Sequence, residues 1–238
     1  MGRLTRTGQD APSAERNSAF FAGNRAYAES ITELDTYRNI RGAVNAEISG
    51  ARRLLDVGNG GVFDYDVGLA SEVVGVDLFL DGTPAGLPNH VTLRRGDALA
   101  LDEPDDAYDR VVEISVLHHL VGPDVDSTLD NIRRALMEAR RVLSPGGRLV
   151  VMESCLDSRA FFVERRLFRS LQVLARTRVL SHPAVLQFPP EAISAAIAER
   201  FEHVQTRPIP VGRWILQFGH RWPSALTPAR PYLFVAVR

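Results

Sequence analysis

Two acidic residues follow apolar runs and flank a glycine-rich turn. The first run, 54–55, is followed by Asp56, Val57 and the turn Gly58-Asn59-Gly60-Gly61. The second run, 73–76, is followed by Asp77, 21 residues after Asp56. Glycines let a backbone come close to a ligand, and an acid at the end of the next strand can bond a ribose. The pattern predicts a nucleoside pocket in an α/β sheet.

A second group of candidates follows the later apolar runs. Glu113 ends the run 108–114, and His118 and His119 open the next turn. Because histidine titrates near neutral pH, either ring can take a proton from a substrate, and Glu113 is a third candidate catalytic group. The alternatives are helix capping and packing for the histidines, and a structural or cofactor-facing role for Glu113.

The elements that must position these residues alternate between short apolar strands and helices. This alternation predicts an α/β fold with a doubly wound, Rossmann-like seven-stranded sheet, mostly parallel with an antiparallel edge strand. Pro145 and two glycines predict a tight turn at 144–147. The predicted strands are 54–57, 73–77, 91–93, 108–114, 148–153, 202–208 and 231–237, and the predicted helices are 125–143 and 190–200.

The chain is predicted to be a single domain, 19–238, after a disordered tail, 1–18. Within it we expect two N-terminal lid helices, a cofactor-binding core, a small helical cap over the substrate, and C-terminal edge strands. The respective ranges are 19–50, 51–155, 156–200 and 201–238.

Composition excludes several classes of function. The 238 residues are 45% hydrophobic and carry a formal net charge of -1, which disfavours nucleic acid and stable membrane association as partners. All 28 basic residues are arginine, so Schiff-base chemistry on lysine is excluded. Cys155 is the single cysteine, and neither a secretory signal nor an apolar span is evident. We expect a cytoplasmic protein, and the sequence leaves homodimer formation open.

Four segments occur in a fixed order: the turn 56–60, Gly75-Val76-Asp77-Leu78, Gly96-Asp97-Ala98-Leu99, and 116–120 followed by 140–147. Their joint order resembles class I S-adenosylmethionine-dependent methyltransferases of the small-molecule, ubiquinone-biosynthesis-like branch. The resemblance covers residues 52 to 153 and implies S-adenosylmethionine as cofactor, S-adenosylhomocysteine as product, and no metal.

The resemblance also implies roles for individual residues. Asp77 would accept both ribose hydroxyls, and Leu78 and Phe79 would pack on the adenine face. Asp97 and the Ala98 amide would bond the adenine edge. The methionine end is assigned to Asp56, Gly58, Asn59 and Gly60, with Glu113 as a further cofactor contact.

The glycine turn departs from the family pattern. Val62 stands where a third glycine is usual, the helix expected at 62–66 is short, and the interval from Asp56 to Asp77 is about two residues tight. We expect an altered but working pocket, in which Tyr65 or Asp66 can approach the methionine carboxylate or the substrate.

Candidates for the acceptor site lie outside the cofactor segments. Tyr37 is a candidate catalytic residue, and plain packing is the alternative for the helix tyrosines. The segment 161–178 is interpreted as a cap helix, with a membrane-surface helix as the alternative. The candidate substrate-binding residues are Tyr27, Arg38, His182, Phe188, Arg213 and Trp214.

The predicted function is methyl transfer to a small organic acceptor in bacterial specialised or quinone-like metabolism. Oxygen is the first choice of acceptor atom, followed by nitrogen or carbon. Methyl transfer is an in-line displacement that depends mainly on positioning, so a histidine base is optional. The alternatives are methylation of a macromolecule, or a retained fold without methyl transfer, acting as a pericyclic catalyst or a binding partner.

Overall fold

The computed structural model describes residues 34–80, 86–176, 185–217 and 220–238. The predicted tail, the first lid helix, Tyr27 and His182 lie outside these residues. The second predicted helix of the lid is α1, Asp35–Ile48. It buries Ile40, Val44 and Ile48, spaced four residues apart, and packs on the sheet.

Seven strands form one sheet, and they are β1 Ala51–Val57, β2 Ala70–Asp77, β3 Val91–Arg95, β4 Tyr108–Ile114, β5 Leu143–Leu156, β6 Glu202–Pro208 and β9 Ala229–Val237. Their order across the sheet is β3-β2-β1-β4-β5-β9-β6. Strands β1 to β5 are parallel, and β9 pairs antiparallel with both β5 and the edge strand β6. The predicted antiparallel pair at the sheet edge is therefore confirmed.

Helices cover both faces of the sheet. Helix α2, Val125–Val142, begins at Asp124, whose carboxylate accepts a hydrogen bond from the Ser127 N–H at 2.8 Å. Its buried face packs in one core cluster with helix α4, Pro190–Ala198. Helix α3, Ser158–Arg176, follows β5 directly. None of the described helices combines the length and the apolar character that a membrane span requires.

One local prediction was wrong, and one hairpin was missed. Residues 144–147 belong to β5 rather than to a separate turn, although Gly146 keeps a positive φ of 76° and donates its N–H to the Arg238 carbonyl. A two-stranded hairpin that the sequence did not indicate, β7 Trp214–Gln217 and β8 His220–Pro223, precedes β9. Its strands are four residues each, too short to show a clear alternation.

The connection between β1 and β2 contains no α-helix. The short helix expected at 62–66 is absent, and turns lead into a three-residue 3₁₀ helix, Val67–Leu69. Gly60 and Gly61 both have positive φ, and the Asp66 carboxylate caps the 3₁₀ helix by accepting from the Gly68 N–H at 3.0 Å. These left-handed turns and the early cap leave too few residues for an α-helix.

Candidate functional site

The glycine turn lies at the carboxyl end of β1, between the ends of β2 and β4. Gly58 has a φ of 80°, and a Cβ built on it would lie 2.6 Å from Cγ2 of Val116. Its N–H donates to the Val76 carbonyl at 2.7 Å. Only glycine meets both conditions, so the first glycine is required to bring the turn against the strand ends.

Asp77 is held at the end of β2 by two backbone amides. Its Oδ2 accepts from the Gly60 N–H at 2.8 Å and its Oδ1 from the Phe79 N–H at 2.7 Å. Each carboxylate oxygen has two lone pairs, so one acceptor position per oxygen is left for a ligand. Burial raises the pKa of Asp77, and the two amides oppose that rise. The carboxylate is thus oriented, and 9% of the residue stays exposed.

Asp56 is buried and tied to the rebuilt turn. Its Oδ2 accepts from the Tyr65 hydroxyl at 2.9 Å and from the Asn59 side-chain amide at 3.1 Å, while the Gly61 N–H donates to Oδ1 of Asn59. Burial raises the pKa of Asp56 to about 7. Tyr65 therefore contacts Asp56, whereas an approach of Tyr65 to a ligand, and a direct contact of Asp56 with an ammonium group, stay predictions.

Tyr65→Phe is expected to lower the free energy of unfolding by about 1–3 kcal/mol, because Asp56 would keep only one hydrogen-bond donor in a buried position. The loss should be larger at pH 8 than at pH 6, because the hydroxyl favours the ionised carboxylate, which forms above pH 7. Urea unfolding at both pH values measures it, with Tyr232→Phe in β9 as the matched control. Equal stability of the two variants would contradict the assigned contact.

The predicted adenine side of the site is partly built. Asp97 accepts from the Leu99 N–H at 2.9 Å through Oδ1, and its carbonyl accepts from Ala100, so it closes its own turn after β3. Leu78 and Phe79, which follow β2, and Ala98, which follows β3, are half-buried. Their contacts with an adenine stay predictions.

A buried acid–histidine cluster lies on the neighbouring strand ends. Glu113 in β4 pairs in register with Val151 in β5, so Glu113 and Glu153 point to the same face of the sheet. Oε1 of Glu153 lies 2.5 Å from Nδ1 of His118, in the 3₁₀ turn Leu117–His119 that follows β4. The His118 and His119 rings stack with centroids 4.1 Å apart.

Two carboxyl groups of this cluster are incompletely bonded. Glu113 is 1% exposed, and among the described residues its Oε2 has no hydrogen-bond partner. Glu164 in α3 likewise has a buried Oε2 with no partner in the described part of the chain, while it accepts from the Gln187 backbone. Burial, with Glu153 adding to it for Glu113, raises the pKa of Glu113 to about 8, and burial raises that of Glu164 to about 7.

Glu113→Gln is expected to remove a pH-dependent loss of stability. The pKa of Glu113 rises from 4.5 to about 8 on folding, so the wild-type protein loses stability as the pH rises through that interval, by up to about 1.4 kcal/mol per unit. The variant should match the wild type near pH 5 and exceed it at pH 9. Urea unfolding at both pH values tests this, with the exposed Glu202→Gln as control. Parallel pH profiles would contradict it.

The other predicted acceptor residues fall into two groups, and those at the start of α1 and of the hairpin are adjacent because the Thr36 hydroxyl donates to the Trp214 carbonyl at 2.8 Å. Arg38 is exposed on α1 and bonds Asp35, and Tyr37 packs beside the α1 core. Arg213 lies over the Trp214 ring, 5.8 Å from its centroid, at the start of the hairpin. Phe188 is buried, and its ring lies 5.3 Å from that of Phe161 in α3.

Two residues of the cluster were missed from the sequence. Glu153 stands near the carboxyl end of the strand beside β4, so its place was inferable from topology. Glu164 lies three residues after Phe161 and four before the buried Phe168. That spacing puts it on the inner face of an amphipathic helix, which was the available signal.

The central part of the chain resembles known proteins. Residues 55–151 match the family model described as a methyltransferase domain. This central segment is therefore similar to a methyltransferase domain. A demethylmenaquinone methyltransferase of Mycolicibacterium paratuberculosis is 34% identical over 125 residues, which are 51% of this chain and 50% of that protein. The chain thus matches about half the length of this curated relative, and the resemblance to class I S-adenosylmethionine-dependent methyltransferases is confirmed.

Solved structures share the fold of the described part of the chain. A chain from the complex between the Haloferax volcanii Trm112 methyltransferase activator and a methyltransferase is 14% identical, with a TM-score of 0.59 and coverage of 94% of this chain and 96% of that one. A Thermotoga maritima S-adenosylmethionine-dependent methyltransferase is 16% identical, with a TM-score of 0.59 and coverage of 94% of this chain and 98% of that one. At these identities the likeness establishes the fold of the methyltransferase domain and no more.

Proposed function

We propose that this protein transfers a methyl group from S-adenosylmethionine to a small organic acceptor. The observation that carries the proposal is the oriented Asp77 carboxylate beside the left-handed glycine turn, within the matched methyltransferase domain. The relative's quinone-type acceptor supports a small organic substrate for this chain too. The formal net charge of -1 favours a small acceptor over nucleic acid.

The residues of the turn fit the cofactor. Gly58 and Gly60 present backbone at the carboxyl end of β1, and Asp77 keeps free lone pairs for two ribose hydroxyls. Asn59, fixed between Asp56 and Gly61, would border the methionine end. The bound cofactor supplies an electrophilic methyl group, and the protein supplies binding and orientation.

His118 is the residue best placed to take a proton from the acceptor. Because the Glu153 carboxylate accepts from Nδ1, the proton of the neutral ring stays on that nitrogen and Nε2 is basic. Glu153 is held in turn by the Ser154 N–H at 2.8 Å. We therefore assign His118 as the base and Glu153 as its positioning residue, and keep His119 as a packing partner of the His118 ring.

The test is calorimetric titration of the purified full chain with S-adenosylmethionine and S-adenosylhomocysteine, with NAD as control. We expect micromolar dissociation constants for the first two and no heat with NAD. Methylation of candidate small acceptors is then followed by mass spectrometry. Failure of both sulfur compounds to bind would overturn the proposed function and favour a role of the fold without methyl transfer.

A further inference from the structure

The buried carboxyl groups at the ends of β4 and α3 have acceptor capacity that the protein does not use. Oε2 of Glu113 and Oε2 of Glu164 are both buried without a hydrogen-bond partner among the described residues. An unsatisfied buried polar atom costs about 1–3 kcal/mol, so it is rarely left without a reason. A ligand that donates a hydrogen bond would remove this cost at either atom.

The two groups belong to one connected cluster. The Glu153 carboxylate raises the pKa of Glu113 and accepts a hydrogen bond from His118. His118 in turn lowers the pKa of Glu164. The segment 186–188 connects the 3₁₀ turn after β4 with the end of β5. The Leu186 N–H donates to the His118 carbonyl at 3.1 Å, and the Leu156 N–H donates to the Phe188 carbonyl at 3.3 Å.

The charge of the cluster points to a cation. It holds three carboxyl groups against one histidine bonded to a carboxylate, and no arginine in the described part of the chain forms an ion pair with any of the three. The arginines of α3 that the structure describes, Arg159, Arg165 and Arg166, are exposed. The charged groups that act on Glu113 and Glu164 are Glu153 of β5 and His118 of the 3₁₀ turn.

Aromatic residues flank the cluster. Phe161 and Phe188 lie with ring centroids 5.3 Å apart, and Phe168 is buried in the same core cluster as Leu117, the residue before His118. Phe161 and Phe168 share the inner face of α3 with Glu164. Apolar walls with a few charged groups are typical of a site for an organic molecule, and aromatic rings also attract ammonium groups.

We propose that Glu113 binds a cationic amine group of the acceptor, with Glu164 near His118 adding negative charge to the site, so that the substrate is a small amine with an apolar body. This inference rests on the proposed methyl transfer. It makes an amine the preferred acceptor, in place of the oxygen compounds favoured by the sequence. A neutral alcohol would offer one donor and no charge, and a carboxylic acid would be repelled. An ammonium group offers three donors and compensates the cluster's charge.

The experiment compares amines with neutral isosteres on the full chain saturated with S-adenosylhomocysteine. The probes are benzylamine, 2-phenylethylamine and butylamine, each paired with the alcohol of the same skeleton. Affinity is measured by calorimetry at pH 7.5 in two buffers of different ionisation enthalpy, which also gives the number of protons released. The variants are Glu113→Gln and Glu164→Gln, with the exposed Glu202→Gln as matched control.

We expect at least one amine to bind ten times or more tightly than its alcohol, with release of a proton from the cluster. Glu113→Gln should weaken that amine at least tenfold and reduce the proton release, and Glu202→Gln should change neither. Equal binding of amines and alcohols, no binding by any amine, or an unchanged Glu113→Gln variant would overturn the proposal. The amine titration is also run on the chain without S-adenosylhomocysteine. Failure of S-adenosylhomocysteine to bind would then overturn the proposed function, while an amine response lost in Glu113→Gln would still support the amine site.

Discussion

Replacing His118 with glutamine is expected to slow methyl transfer about 10²-fold or more at pH 7 while leaving cofactor affinity within about twofold. Removal of a positioned base typically costs 10²–10⁴-fold in rate. His118 lies in the turn after β4, and its ring bonds Glu153, whereas the Asp77 carboxylate that the cofactor would use is held by Gly60 and Phe79. Steady-state kinetics of the identified acceptor, with calorimetry of S-adenosylhomocysteine, separates the two effects.

Glu153 provides the internal check on this assignment. Glu153→Gln keeps the size of the side chain but weakens the fixed Nδ1–H contact, so it should lower kcat less than His118→Gln and shift the pH profile of kcat. A merely structural contact would change stability without moving that profile. His203→Asn, at an exposed position with a positive φ of 51°, is the matched control. An unchanged kcat and pH profile in His118→Gln would remove it as the base.

The sheet was predictable because each strand is marked by a short local run of apolar residues. Strand β4 and strand β6 have the predicted bounds, and β1, β2, β3 and β9 differ only by extension at their ends. A strand buried on both faces is a short apolar run, and the acidic residues that end such runs fall at one edge of a parallel sheet. The positions of Asp77 and Glu113 at that edge followed from this rule.

Contacts between distant segments were not predictable in the same way. The bond from Tyr65 to Asp56 requires the β1–β2 connection to fold back without a helix, which depends on three left-handed glycines acting together. Glu164 reaches the strand ends only because α3 and the segment 186–188 pack over β5. Side-chain partners separated by many residues leave no periodic trace, so the cluster as a whole appeared only in three dimensions.

Asp77→Ala is expected to weaken the binding of S-adenosylhomocysteine at least tenfold. A hydrogen bond to a charged group contributes about 1.5–3 kcal/mol, and the carboxylate would bond the ribose while it also fixes the turn. Without it, the Gly60 and Phe79 amides lose their acceptors, so the turn itself should loosen. Calorimetry measures the affinity, and urea unfolding reports the accompanying loss of stability.

Asp77→Asn distinguishes the two contributions. An asparagine retains one side-chain oxygen and carries no charge. That oxygen can replace the acceptor of Gly60 or of Phe79, but it cannot serve both amides and two ribose hydroxyls as the carboxylate does. Its stability should lie between wild type and Asp77→Ala, whereas its affinity should fall nearly as far as in the alanine variant, because the ribose loses the charged acceptor. Asp130→Asn on the exposed side of α2 controls for the change of net charge. If Asp77→Ala binds within twofold of the wild type, the ribose does not lie at β2, and the glycine turn must be a structural feature of the fold rather than the cofactor site.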